Sequence, residues 1–121
     1  METGRKSTGG RYKKLKKKRL HEKLGVFRQV TLGPEKKKSV RTRGGHVKSF
    51  LLSTDKINLF DKKEKKSHIL KIKNVIEVPS NKFLARKNVL VKGAIVETEK
   101  GKAKITNRPG QEPSVQGIFL N

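Results

Sequence analysis

This chain carries 32 Lys and Arg against 10 Asp and Glu, a formal net charge of +22 over 121 residues. Self-repulsion of that size works against a compact state, so the fold must keep most of these side chains in water or against a polyanion. Nucleic acid is the polyanion best suited to neutralise it, because each phosphate contact releases condensed counterions. The charge is uneven. Residues 1–48 hold 17 basic and 3 acidic residues, or +14, and residues 49–121 hold 15 and 7, or +8. The pattern reads as a basic arm over residues 1–38, largely irregular, joined to a small basic domain over residues 39–121.

What remains for a core is limited. Hydrophobic residues make up 31% of the chain, below the ~45–50% of an average globular protein. A short chain also buries only ~60% of its unfolded surface. The expectation is a thin core supported by a partner. The absence of cysteine excludes disulfides, thiolate metal sites and cysteine nucleophiles. No apolar run approaches the ~20 residues of a membrane span, and the basic N-terminus lacks the apolar stretch of a signal peptide. A soluble, cytoplasmic protein with no membrane partner is expected.

Gly4, Gly9, Gly10, Gly25, Gly33 and Pro34 interrupt any long helix in the arm. Residues 12–24 could form a short helix, although Tyr12, Leu15, Leu20 and Leu24 spread over about half of a helical wheel. Beyond Ser39 the pattern is β. Residues 40–43 and 47–53 flank a turn at Gly44-Gly45, and residues 56–60 form a further strand. Residues 62–66 (KKEKK) read as an exposed loop. Residues 68–78 are the clearest strand, with Leu70, Ile72, Ile76 and Val78 on one face and Asn74 interrupting. Residues 80–87 suit one helical turn capped by Ser80 or Asn81. Residues 89–91 and 94–99 are strand-like with Gly93 as a bulge. Lys100-Gly101 suits a hairpin turn, and Ala103 and Ile105 share a face of the returning strand. Residues 115–120 close the chain. Short strands at close intervals predict a mostly β fold, a small barrel-like domain with an extended basic arm.

The strongest local signal is the cation run Lys13, Lys14, Lys16, Lys17, Lys18 and Arg19, with Arg11 and Lys23 beside it. It suits phosphate neutralisation better than a membrane surface, since the arm offers only leucines and one tyrosine to insert. Thr8-Gly9-Gly10-Arg11 and Arg43-Gly44-Gly45-His46 each set bare backbone beside a cation. Glycine lets N–H groups approach a phosphate that arginine grips bidentately. Each is also an ordinary turn sequence, and it is their place in a basic segment that favours RNA. Arg108-Pro109-Gly110-Gln111 is a turn with a charged shoulder, and Arg86 and Lys87 follow the helical turn.

Enzyme constellations are absent from the sequence. His21, His46 and His68 lie far apart, with no metal-ligand spacing. Gly93 and Gly101-Lys102 do not have the spacing of a phosphate loop. The aromatics are Tyr12, Phe27, Phe50, Phe60, Phe83 and Phe119. Most of the phenylalanines are expected in the core, which points to backbone and shape recognition of folded RNA rather than base stacking. On the residues alone, a structural RNA-binding protein and a general RNA chaperone or assembly factor fit equally.

The strings Gly4-Arg5 through Arg11, the basic run ending in His21-Glu22, and Val40-Arg41-Thr42-Arg43-Gly44-Gly45 resemble the S-eight-e family of archaeal and eukaryotic small-subunit ribosomal proteins, in its short archaeal form. Lys92-Gly93-Ala94-Ile95-Val96-Glu97-Thr98, Gly101-Lys102-Ala103 and Arg108-Pro109-Gly110-Gln111 continue the resemblance in order. It implies a structural protein of the small subunit, bound to 16S-type rRNA beside neighbouring ribosomal proteins. It implies no catalysis, no cofactor, no metal and no small-molecule substrate. The residues expected to meet RNA are Arg5, Lys6, Thr8, Gly9, Gly10 and Arg11; Lys13, Lys14, Lys16, Lys17, Lys18, Arg19, His21 and Lys23; Arg28; Arg41, Arg43, Gly44, Gly45, His46 and Lys48; and Arg86, Lys87 and Arg108. Three positions depart from the family pattern. His46 stands where Asn is expected, Pro113 follows Glu112 where Gly is usual, and the N-terminal tip lacks an aromatic residue.

Overall fold

The computed structural model describes residues 4–13, 16–25 and 27–120. Alternation of apolar and polar side chains sets its architecture, because every second residue of a strand faces the same way. The elements run β1 (Thr31–Leu32), β2 (Lys36–Arg41), β3 (Val47–Thr54), β4 (Lys56–Asp61), β5 (Lys66–Glu77), α1 (Lys82–Arg86), β6 (Ile95–Thr98), β7 (Gly101–Ile105) and β8 (Gln116–Phe119). Strands β4-β5-β6-β7-β8 form a closed barrel, in which β8 returns to pair in parallel with β4. The remaining strands form a small sheet in the order β1-β3-β2. The fold is therefore mostly β and barrel-based, as expected.

Ile57 and Leu59 of β4, Ile72 and Val75 of β5, Val96 of β6 and Ala103 and Ile105 of β7 fill the barrel interior. A five-stranded barrel has little room inside, so small residues stand where strands close most tightly. Ala103 is fully buried, and Gly117 of β8 sits opposite both Leu59 and Ile105. The core continues beneath the small sheet through Val30 and Leu51 and beneath the helical turn through Val78 and Leu90.

β5 corrects one expectation. Leu70 is half-buried and Ile72 buried, as the alternation requires, but Val75 rather than Ile76 then faces inward. Register shifts between Ile72 and Asn74 and between Val75 and Glu77 cause this. Each inserts an extra residue, which bends the strand around the barrel and moves the inward set by one position. The Val75 amide at the irregularity donates to Oδ1 of Asn74 at 2.9 Å and of Asn88 at 3.3 Å. The polar interruption at Asn74 is the bulge itself.

Other local readings also change. No helix spans residues 12–24 among the described residues. One 3-10 turn, Leu20–Glu22, is present, and Tyr12, Leu20 and Leu24 are exposed. Their broad spread gives no stripe to bury, and adjacent cations would repel one another in a helix. Gly93 lies in a turn with φ 84° rather than in a bulge. Val89 makes only an isolated bridge, to Thr31. The β6–β7 hairpin turns at Glu99 and Lys100, because Thr98 already pairs with Gly101. The first hairpin strand starts earlier than residue 40, at Lys36. The helical turn is capped as expected, with Asn81 Oδ1 accepting from the Phe83 amide at 2.9 Å.

The arm joins this frame at Val30. Val30 is buried, and its carbonyl accepts from Leu90 N at 2.7 Å, while Leu32 N donates to Asn88 O at 3.0 Å. β1 pairs in parallel with β3 on its other side. Residues 30–32 are thus held between the small sheet and the segment after α1, and they anchor the arm that precedes them in the chain.

Candidate nucleic-acid interface

The arm begins with a tight hairpin. Arg5 bridges Arg11, Lys6 N donates to Gly10 O at 2.9 Å, and Gly9 N donates to Lys6 O at 2.8 Å. Gly9 has φ 78°, the left-handed position that closes a three-residue hairpin loop and that glycine adopts without strain. Arg5 and Arg11 therefore lie side by side, with Arg5 Nη1 donating to Gly9 O at 3.4 Å. Lys6 Nζ stands 5.6 Å from the centre of the Tyr12 ring. Thr8 and Gly10 complete the loop, and all of these residues are exposed.

Lys13, Lys16, Lys17, Lys18, Arg19, His21 and Lys23 are likewise exposed, and Lys14 lies outside the described residues. Glu22 organises the 3-10 turn by accepting from Arg19 N at 2.9 Å, with Lys16 Nζ at 4.0 Å and His21 Nε2 at 3.9 Å from its carboxylate. Such exposed pairs contribute little. Most of the run thus carries charge with no acidic partner among the described residues.

A second loop joins β2 to β3. Thr42 and His46 close it, with Thr42 N donating to His46 O at 2.7 Å and Thr42 Oγ1 donating to the same carbonyl at 2.9 Å. Gly44 and Gly45 both have φ 83°, which explains the glycine pair. A β-carbon at Gly45 would stand 3.7 Å from Arg41 Nη2, and one at Gly44 would stand 3.5 Å from the His46 ring. Arg41 and His46 therefore flank bare backbone on this loop, and Arg43 and Lys48 are exposed beside it.

Register on the small sheet gathers more cations. Lys38 pairs with Phe50 and Val40 with Lys48, so these four share one face. Arg28 covers that face, its guanidinium centre 3.9 Å from the Phe50 ring centroid. On the other face Glu35 pairs with Lys37, with Lys56 also in reach. The Lys37 hydrogen bond and charge, with a smaller contribution from Lys56, hold the Glu35 carboxyl below its ordinary value.

Arg28 and Arg108, distant in sequence, meet across one cleft, and Lys92 lines it too. Arg86 lies elsewhere, its guanidinium 5.9 Å from the exposed Phe83 ring, with Lys87 at the C-cap of α1. The sequence reading did not single out Lys38 or Lys92. For Lys38 the signal was available, since extending the β2 alternation back from Val40 places it opposite Phe50. The core assignment of most phenylalanines is corrected. Phe50 is buried and Phe119 half-buried, but Phe27, Phe60 and Phe83 are exposed. Phe60 alternates with the inward Leu59, and Phe83 turns outward while Leu84 and Ala85 pack on the barrel.

No group of three or more His, Asp or Glu side chains is gathered among the described residues. None of the described helices is long and apolar enough to cross a membrane.

The described chain is a closed β barrel from which a cation-bearing arm extends, itself headed by a glycine-closed hairpin. Residues 1–120 match the family described as Ribosomal protein S8e. The small ribosomal subunit protein eS8 of Methanococcus aeolicus is 42% identical over 118 residues, covering 97% of this chain and 92% of that protein. Proteins of the same name from Methanocella arvoryzae and Sulfurisphaera tokodaii are each 39% identical, covering 96% of this chain and 93% and 91% of theirs. The chain belongs to the S8e family of ribosomal proteins, whose members are structural components rather than enzymes.

Proposed function

We propose that this protein is a structural constituent of the small ribosomal subunit, in the cytoplasm, that binds and stabilises 16S-type rRNA. The arm to Lys38 supplies most of the affinity through phosphate contacts, and the β domain from Ser39 fixes the register. Neighbouring ribosomal proteins are its other partners. The observation that carries this reading is the exposed cation run of residues 16–19, tethered at Val30 to a closed barrel. Charge mostly without acidic partners among the described residues, on an extended segment, is suited to following a phosphate backbone. The candidate contacts on the arm hairpin, the Thr42–His46 loop and Arg28 with Arg108 extend that surface onto the domain.

Crosslinking of the protein to total cellular RNA, mapped by sequencing, tests this. Reads concentrated at a few sites of small-subunit rRNA, with adducts in residues 11–19 and 41–48, are expected. Reads scattered over many transcripts would instead assign the protein as a general RNA chaperone.

A further inference from the structure

We propose that the cleft between the arm and the Arg108–Gln111 turn receives one unstacked nucleotide of the bound RNA, its base against Phe27 and Arg28 and its phosphate on Lys92 and Arg108. The inference rests on the rRNA-binding reading and sharpens it, since it adds a base contact to a surface otherwise built for backbone.

The cleft holds about 630 Å³, within the ~300–1,000 Å³ of sites that enclose small ligands. Its floor is apolar, with Leu90 and Pro109 buried and Leu84 and Val91 half-buried. Its outer wall is Leu24 and Phe27, and Phe27 is 64% exposed. An aromatic ring left in water above an apolar floor leaves a slot that a flat apolar surface would fill.

The rim states the chemistry of the occupant. Arg28, Lys92 and Arg108 line the cleft, and among the described residues no carboxylate does. The nearest acidic residue in sequence, Glu112, is held by Asn107 Nδ2 at 2.7 Å. Three cations around an apolar slot fit a ligand that is flat and apolar at one end and anionic at the other. A nucleotide has that form, whereas an apolar peptide side chain would leave the cations unmatched. Ser80 and Gln111 add hydrogen-bonding groups at the edge.

Arg28 is placed for this role. One face of its guanidinium lies on Phe50, while the residue remains exposed. A planar cation with one face already stacked offers the other to a base. Gly110 permits the turn to close on it, since a β-carbon there would stand 3.1 Å from the Arg28 carbonyl oxygen.

The test uses the full chain and an in vitro transcript of archaeal 16S rRNA. After 254-nm irradiation and nuclease digestion, mass spectrometry is expected to find a nucleotide adduct on Phe27, Arg28 or the Arg108–Gln111 turn. Phe27→Ala, at an exposed site, is expected to weaken binding about 5- to 150-fold, the range for losing one base–aromatic stack, without changing the salt dependence. Lys92→Ala with Arg108→Ala should instead lower the salt slope by roughly 0.7–0.9, the increment for one phosphate. Tight, salt-sensitive binding with adducts only outside the cleft and an unaffected Phe27→Ala variant would overturn the inference and leave the rRNA reading intact. A transcript bound no better than an unrelated RNA of equal length would overturn both.

Discussion

The guanidinium of Arg28 lies 3.9 Å from the ring centroid of Phe50, whose own exposure is only 4%. An arm residue thereby covers an aromatic ring that the small sheet presents outward. Removing the cover exposes the ring and deletes a cation–π contact, which contributes about 0.5–2 kcal/mol depending on solvation. Arg28→Ala should lower the unfolding free energy of the RNA-free protein by an amount in that range, seen as a lower urea midpoint. Arg19→Ala, which lacks such a contact, should leave it unchanged. Equal midpoints for both variants would show that the arm does not dock on the sheet in the absence of RNA.

Gly117 and Gly93 should fail for different reasons when replaced by alanine. A β-carbon at Gly117 would lie 2.8 Å from the Lys104 carbonyl oxygen and 2.9 Å from Leu59 Cδ2. The first is backbone of the paired strand and cannot swing aside, so overpacking of roughly 1–3 kcal/mol is expected. Gly93 has open space around it but φ 84°, so its alanine variant should lose about 1–2 kcal/mol through conformation alone. Adding Leu59→Val should recover part of the Gly117→Ala loss and none of the Gly93→Ala loss. Denaturant unfolding of the single and double variants measures both.

The barrel was legible where alternation is uninterrupted. Ile57 with Leu59, and Ala103 with Ile105, face inward as their spacing requires. It was not legible along β5, because a bulge is a two-residue geometry and the sequence records it only as an isolated polar residue, Asn74. The arm's anchor was missed for another reason. Val30 and Leu32 give only one step of alternation, too short to mark a strand, and the burial of Val30 depends on Leu90, sixty positions on in the chain. The glycine pair at residues 44–45 was readable as a turn, since positive φ needs glycine. The meeting of Arg28 with Arg108 was not, because no local pattern relates residues so far apart.

Asn107 shapes the turn that carries Arg108. Its Nδ2 donates to Glu112 Oε2 at 2.7 Å and to Ser114 O at 2.6 Å, while its Oδ1 accepts from Gln116 N at 3.0 Å. The side chain is buried, so truncation leaves Gln116 N and Ser114 O without this partner. Asn107→Ala should destabilise the protein by about 1–3 kcal/mol. It should also speed amide exchange in residues 108–116 more than in β4 and β5. Uniform exchange across the barrel would mean that the turn has no local role.

Glu35 gives the small sheet a pH dependence of definite sign. Its carboxyl is held below its ordinary value, first by the Lys37 hydrogen bond and charge. A carboxyl whose folded value is depressed contributes stability above its unfolded value and loses it as pH falls through the folded one. The Glu35 side-chain resonance should therefore titrate at lower pH than in an unstructured peptide, and Lys37→Ala should move its midpoint upward. The effect on global stability should be slight, because the pair is exposed and screened. An unshifted midpoint in the parent protein would show that the Lys37 contact is not kept in solution.

The arm's own contribution separates from that of the barrel. Among the described residues 16–25 the only backbone hydrogen bonds are those of the 3-10 turn, from Glu22 N to Arg19 O and Lys23 N to Leu20 O. Amides 16–18 should therefore exchange without protection in the RNA-free protein and become protected on 16S-type rRNA, whereas the Arg19 amide already donates to Glu22. Replacing Lys16, Lys17, Lys18 and Arg19 together by Gln should leave the unfolding midpoint unchanged, since none of the four is buried. The same change should lower the slope of log affinity against log salt by roughly 0.7–0.9 for each phosphate the variant no longer neutralises. Four such phosphates would give a drop of about 3 to 4, and two about half of that, so the slope reveals how many of these side chains reach the RNA backbone. Protection of residues 16–18 before RNA is added would mean that the arm is folded against the protein rather than free to follow the backbone. An unchanged slope would transfer the affinity to the cations of the sheet and the cleft.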